Sequence, residues 1–275
     1  MKDAKIVINK LICVCCKKDA STFEASTKYI CKYLVARTYV VLVPSADYEY
    51  FMSLNLREFK VVSEDKYEHI ADALREKSIG SRFGWYFQQF IKMSELDEGK
   101  DNDINLIWDA DTTPLRALSF ERKGKIFFYQ GKEHHPPYFH LIKSLINEEK
   151  LVKTSFIAQC LPYRVKWFRQ FKSSLETDMH TQWYQRIISL IDFNEVSGFS
   201  EYETLGTYAV KHFKDEIEIS NNTENWYRYG NSLIGCCDNL QRYSDTLSRK
   251  YDFISFESWD TLKFSVLKKF IKLYL

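Results

Sequence analysis

The chain has no run of roughly 18 uninterrupted apolar residues, so its sequence offers no membrane-spanning helix. Proline and glycine are scarce, with 5 and 9 in 275 residues, and no Gly/Ser/Pro-rich stretch reads as a linker between domains. Internal repeats are lacking too, which excludes a solenoid or propeller. Neither charge sign dominates: 39 Lys+Arg face 37 Asp+Glu, a formal net charge of +2. That balance gives no argument for a nucleic-acid partner, and any basic surface must be local. The opening segment MKDAKIVINKLICVCC has only a short apolar run and no small-residue cleavage site, so it does not read as a signal peptide. A cytoplasmic address is therefore expected, in which the seven cysteines are thiols. Cys13 and Cys16 have C-x-x-C spacing and Cys236-Cys237 are adjacent, but neither has the well-spaced second pair or nearby histidines of a zinc site. Cys13, Cys15 and Cys16 read instead as small hydrophobes in a strand.

Apolar residues make up 45% and aromatics 16% of the chain, enough for a folded core. Residues 6–16 read as a first buried strand. A helix to about Leu34 follows, with Ser21 or Thr22 as its cap. Residues 38–43 form a second strand stopped by Pro44. A helix near 46–54, a strand at 59–62, a helical stretch after Ser63-Glu64-Asp65, a buried helix at 84–96 and strands at 104–108 and 125–130 come next. This alternation predicts an α/β fold with a mainly parallel sheet. After Pro136-Pro137 the chain turns helical, with helices at 138–148, 162–175, 180–192 and 200–213 and two further strands at 233–237 and 252–256. Residues 1–259 are read as a single domain with a helix-rich second half.

Asp109-Ala110-Asp111 directly follows the apolar strand 104–108. Open α/β sheets bind ligands at that carboxyl edge. Two carboxylates that close repel each other unless a cation or a proton sits between them. Mg²⁺ or Mn²⁺ suits such hard oxygen ligands and can bridge them to a diphosphate. A solvated loop could carry the same tripeptide. Asp109-x-Asp111-x-Thr113 also fits the first motif of haloacid-dehalogenase-type phosphatases, with Asp109 as nucleophile. Against that reading, no acidic pair follows a later strand, and more than a hundred residues precede the motif.

Gly84-Trp85-Tyr86-Phe87-Gln88-Gln89-Phe90-Ile91-Lys92, Ile107-Trp108-Asp109-Ala110-Asp111-Thr112 and Phe199-Ser200-Glu201-Tyr202-Glu203-Thr204-Leu205-Gly206, in this order, resemble a bacterial family. Its members look like GT-A-type glycosyltransferases of surface-polysaccharide synthesis. The resemblance covers residues 8–235. It implies a nucleotide-sugar half at 1–130, an acceptor half at 131–259, and a nucleotide lying over the first strands. It further implies that Asp109 and Asp111 hold Mn²⁺ or Mg²⁺ and the diphosphate of the donor. Gln88, Gln89 and Lys92 would face the same site from the preceding helix, with Ser200-Glu201-Tyr202-Glu203 across from it. The implied acceptor is a glycan or lipid-linked glycan. A non-catalytic glycan-assembly protein that kept the fold remains an alternative.

Residue patterns are compatible with this. Gln88 and Lys92 are four apart and share a helix face, and a lysine there could pair with phosphate. An inverting transfer needs a base for the acceptor hydroxyl. Glu201 and Glu203 are the candidates, and on a helix they lie about 200° apart, so only one can face the site. Asp19, just after the first strand, is either a nucleotide contact or an acid favoured at a helix N-terminus. His134, His135, His140 and His212 are further candidate metal ligands, and Arg82 a candidate phosphate contact. Residues 260–275 form a basic amphipathic segment, with Leu267, Phe270, Ile271 and Tyr274 on one stripe and Lys268, Lys269 and Lys272 largely off it. Such a helix could lie on an anionic membrane, here the inner face of the cytoplasmic membrane, or pack on the core.

Overall fold

The computed structural model describes residues 8–77, 79–176 and 181–260. The first half alternates strand and helix: β1 (Ile8–Val14), α1 (Ala20–Tyr33), β2 (Ala36–Val43), α2 (Tyr48–Met52), β3 (Phe59–Ser63), α3 (Glu68–Arg75), α4 (Phe83–Glu95) and β4 (Ile104–Trp108). Short strands β5 (Thr112–Pro114), β6 (Glu121–Arg122) and β7 (Lys125–Phe128) follow. The second half runs α5 (Pro136–Ile146), β8 (Cys160–Arg164), α6 (Val165–Leu175), α7 (Trp183–Leu190), α8 (Glu201–Phe213), β9 (Ile217–Ile219), β10 (Trp226–Tyr227), α9 (Gly230–Ile234), α10 (Leu240–Leu247) and β11 (Phe253–Ser255).

The central sheet has the order β3-β2-β1-β4-β8. Its first four strands are mutually parallel, and β8 closes one edge antiparallel to β4. The chain is thus an α/β protein with a mainly parallel sheet and a helix-rich second half. Both faces of this sheet are covered, which is why its strands read as nearly continuous apolar runs. Strand alternation divides the side chains between two cores. Ile12, Val40, Leu42, Leu161 and Tyr163 pack with Phe90, Phe168, Trp183 and Leu205 from the helices α4, α6, α7 and α8. Leu11, Cys13, Val41, Val43, Leu106 and Trp108 pack on the opposite face with Phe23 and Ile30 of α1 and Phe51 of α2. Two small sheets, β10-β11-β5 and β6-β7-β9, flank the main one.

Three expectations need correction. The helix expected at 162–175 begins only at Val165, because residues 160–164 are the edge strand β8. Pro162 is tolerated there since an edge strand has one free side. Residues 233–237 are not a strand: α9 ends at Gly235, whose φ of +91° suits glycine. Neither Ser21 nor Thr22 caps α1, whose N-cap position is Asp19. All seven cysteines are free thiols, with Cys13 and Cys15 buried as expected and Cys16 half-buried. The segment read as a basic amphipathic helix lies outside the described residues except for Asp260. Among the described residues, no helix is long and apolar enough to cross a membrane.

One glycine of α8 sets how closely the second half packs. A Cβ on Gly206 would lie 2.2 Å from Cγ of Phe156, a ring buried in the core. Gly206→Ala gains about 1 kcal/mol of helix propensity but must displace that ring. A net loss of about 1–3 kcal/mol is expected from overpacking. Urea unfolding checks it, and an unmoved midpoint would mean that Phe156 can shift freely.

Candidate functional site

At the carboxyl edge of the central sheet lies a cavity of 460 Å³. Parallel strands deliver their C-terminal ends to this edge, so Val14 ends β1 there with Lys18 and Asp19 following, and Asp109, Ala110 and Asp111 come after β4. Gln159 joins them because β8 runs the other way and starts there. Trp85, Gln88, Gln89 and Lys92 of α4 form one wall, and Ser200, Glu201 and Tyr202 at the start of α8 another.

Lys92 is the hub of these walls. Its ammonium donates to Oδ1 of Asp109 at 2.5 Å and to Oε1 of Glu201 at 3.1 Å. Burial alone would lower its pKa, but the two carboxylates outweigh that and hold it above the ordinary lysine range. An ammonium has three donors, so one remains for a ligand. The Tyr202 hydroxyl also donates to Oδ1 of Asp109, at 2.8 Å. Burial and the neighbouring Asp109 push that hydroxyl far up, so it stays protonated as a donor. With both donors on Oδ1, the second oxygen of Asp109 remains available.

Asp111 stands in a different environment. Its contact with a protein donor is the Thr112 hydroxyl, at 3.2 Å. Burial, then Glu257, Asp109 and Asp19, raise its pKa well above the carboxylate range. The cavity as a whole is acidic, with Asp19, Asp109, Asp111, Glu133, Glu201 and Glu257 against Lys18, Arg82, Lys92 and Arg228. Glu257 is itself held by Gln159 at 2.5 Å, Arg228 at 2.7 Å and the Trp259 indole at 2.9 Å. It arrives just after β11, which pairs antiparallel with β5, and the pairing is locked by Phe256 N–H donating to the Asp111 carbonyl at 2.8 Å.

The sequence-predicted residues separate as follows. Asp19, Gln88, Gln89, Lys92, Asp109, Asp111 and Glu201 all line the cavity. Gln89 also has a scaffolding role: its Oε1 accepts from the Glu201 N–H at 3.0 Å, satisfying an otherwise orphaned donor at the start of α8. Ser200 caps the same helix through the Glu203 N–H. Glu203 does not line the cavity. It is buried, accepts from Ser155 at 2.5 Å through Oε1, and burial pushes its pKa up. Its Oε2 is buried, with no hydrogen-bond partner among the described residues. None of His134, His135, His140 and His212 lines the cavity. His135 meets the Ser197 carbonyl at 2.8 Å, and His212 packs on Tyr208. Arg82 does line it, with its guanidinium 4.0 Å from the Trp85 ring centroid. Glu257, Gln159, Arg228, Trp259 and the Tyr202 hydroxyl were not singled out from the sequence. No local pattern marks the first four, whereas Tyr202 stood inside a recognised motif.

The donor set can be compared with the expected divalent ion. Among the described residues, no three His, Cys, Asp or Glu side chains form a ready ligand group. Mg²⁺ does not require one, since one or two carboxylates plus substrate phosphates commonly suffice. Asp109 and Asp111 supply two hard oxygen donors, and the carboxylate crowding around Asp111 is relieved by a cation. The residues therefore fit the ion.

No family model matches the chain, and no curated protein matches its sequence. Among solved structures, it is similar to the galactosyltransferase LgtC, solved with donor and acceptor sugar analogues, at 11% identity and a TM-score of 0.45, covering 96% of this chain and 94% of that one. It is similar to mouse xyloside xylosyltransferase 1 at 12% identity and a TM-score of 0.49, over 94% and 100% of the two chains. The glycosyltransferase GlyE of Streptococcus pneumoniae TIGR4 is 13% identical with a TM-score of 0.44, over 97% of this chain and 61% of that one.

Proposed function

We propose that the protein transfers a sugar from a nucleotide-sugar donor to a hydroxyl of a surface glycan, assisted by Mn²⁺ or Mg²⁺. The observation that carries this is the crowding of Asp111 by Glu257, Asp109 and Asp19 at the carboxyl edge of a parallel sheet. Such a site is unsuited to an anion by itself and suited to one that arrives with a divalent cation. The motif order in the sequence supports the same reading. A bound ion would supply Lewis-acid neutralisation of the departing diphosphate.

The chain's own residues divide the remaining work. Asp109 and Asp111 would hold the ion and, through it, the diphosphate. The third donor of Lys92 and the guanidinium of Arg82 are positioned for phosphate oxygens. Asp19, Gln88 and Gln89 bound the donor. Glu201 faces the cavity, and burial and the nearby Asp109 raise its pKa against the opposing pull of Lys92. A raised carboxylate is the better proton acceptor, so Glu201 is assigned the role of base for the acceptor hydroxyl. Glu201→Gln is expected to lower kcat by about 10²–10⁴-fold with donor affinity little changed. Glu203→Gln is expected to leave kcat within a few-fold of the parent, as the side chain lies outside the cavity. The reverse ranking would reassign the base.

The test of the whole reading is titration calorimetry with UDP and GDP, with and without Mn²⁺. Binding that requires the metal supports the proposal. Failure of these and of ADP, dTDP and CMP to bind under any condition overturns it. A trapped beryllofluoride adduct on Asp109 would replace it with phosphatase chemistry.

A further inference from the structure

A second cavity, of 660 Å³, adjoins the first and shares Glu133, Ile157 and Arg228 with it. Its wall is aromatic, built from Trp226, Tyr227, Tyr229 and Tyr251. We propose that this cavity is the acceptor subsite and binds an oligosaccharide of at least two sugars along that wall. The assignment of the occupant as acceptor rests on the transferase reading above. The assignment of a carbohydrate site rests on the wall itself.

The rings form a continuous row between the two cavities. Tyr251 and Tyr227 have centroids 5.2 Å apart, Tyr227 and Tyr229 5.8 Å, and Tyr229 and Trp259 5.8 Å. Trp259 lines the first cavity and the three tyrosines line the second. The backbone explains the row. Tyr227 lies in β10 and Tyr229 two residues on, so they project to the same side. A bridge from Tyr229 to Phe256 then brings Trp259 beside Tyr229. Tyr229 is 45% exposed and Trp259 55% exposed, so these rings present open surface where most large aromatics of the chain are buried.

The chemistry of the wall matches a sugar. A pyranose has an apolar C–H face and a rim of hydroxyls, and an aromatic ring takes the face while nearby polar groups take the rim. Lys132, Glu133, Thr223 and Lys250 supply that polar rim. The Tyr227 hydroxyl, pushed up to about 12 by burial and by Tyr251, Asp260 and Tyr229, remains a neutral donor. Successive ring planes turn by 32°, 68° and 82°. The rings therefore offer no single flat platform, which suits separate sugars better than one planar base. Arg228 holds the boundary, binding Glu257 of the first cavity at 2.7 Å and pairing with Glu133 shared by both. A glycan on this wall would present its end to the cavity that holds Glu201.

The experiment uses the full chain on an array of defined di-, tri- and tetrasaccharides of bacterial and neutral types, followed by saturation-transfer NMR with the best binder. Separately, the affinity for UDP and GDP with Mn²⁺ is measured. At least one oligosaccharide should bind, and Tyr229→Ala should weaken it about tenfold or more, as loss of a stacked aromatic anchor does. Tyr229→Phe should retain it, and nucleotide affinity should be the same in all three proteins. Absence of any oligosaccharide binding, or equal binding by Tyr229→Ala, overturns the proposal. Lost nucleotide affinity in Tyr229→Ala would assign the rings to the donor's base and overturn it too. Oligosaccharide binding that depends on Tyr229, without nucleotide binding under any condition, would uphold the carbohydrate site and sink the transferase reading instead.

Discussion

Replacing Lys92 with alanine is expected to cost about 3–5 kcal/mol of stability, the scale for removing one partner of a buried ion pair. Lys92 is 3% exposed and Glu201 4%, and the Lys92 ammonium bonds both Glu201 and Asp109. Without it, Asp109 and Glu201 lose the ammonium that bonds them both. For a chain of this size the loss corresponds to a fall in Tm on the order of 10 °C. It should depend on pH in a definite direction. Burial and Asp109 already raise the pKa of Glu201, and Lys92 is what opposes them. In the variant the Glu201 pKa rises further above its unfolded value of about 4.3. The native state then binds a proton that the unfolded state has lost, so stability falls as pH rises through that interval. The deficit is largest at neutral pH and shrinks on acidification toward the unfolded pKa. Adding Glu201→Gln to a Lys92→Met background should recover part of the loss, since an uncharged pair of similar size leaves less charge buried. Urea midpoints at two pH values check this. A Lys92→Ala protein as stable as the parent would mean that water reaches the three groups freely.

The sheet and half of the cavity were legible for a local reason. Tyr39–Val43 is an apolar, largely β-branched run ended by Pro44, and Ile104–Trp108 is another that runs straight into Asp109. Strand composition and the position of Asp-x-Asp are both properties of adjacent residues. Gln88, Gln89 and Lys92 were also found together, because four-residue spacing fixes a helix face. What stayed hidden depends on pairing between distant segments. Glu257 enters the site only because β5 pairs with β11 across more than a hundred residues, and no spacing rule encodes that. β8 was absorbed into the helix after it, since Cys160–Arg164 is short and continues without a turn signal into the apolar stripe of α6. Leu233–Cys237 shows the matching ambiguity: a short apolar run fits a strand or a buried helix equally well, and Gly235 decides it as a helix end. Glu201 and Glu203 could be separated in principle but not assigned, because the orientation of α8 is set by Gln89, Ser200 and the contact of Gly206 with Phe156.

Asp111→Asn should abolish metal-dependent donor binding and lower transfer by at least about 10²-fold, since even outer partners of metal ligands cost 10–100-fold. The same substitution should make the unliganded protein more stable at neutral pH. Burial and three neighbouring carboxylates hold the Asp111 pKa well above its ordinary value. Below the unfolded pKa, about 3.9, the group is protonated in both states and contributes nothing. As pH rises from there toward the folded value, the unfolded state releases its proton and the native state keeps it, so stability is lost. Asparagine removes that penalty while its carbonyl can still accept from the Thr112 hydroxyl. The predicted gain therefore grows between acid and neutral pH and vanishes near the unfolded pKa. Ligand should reverse the ranking. Mn²⁺ with UDP or GDP at about 100 times Kd stabilises a binding-competent protein by about 2.7 kcal/mol, a gain open to the parent and closed to the variant. Thermal unfolding of both proteins at pH 4 and pH 7, with and without metal and nucleotide, measures each part. A variant no more stable than its parent at pH 7 would remove the carboxylate crowding as the reason for a cation. A variant that still gains stability from metal and nucleotide would remove Asp111 as its ligand.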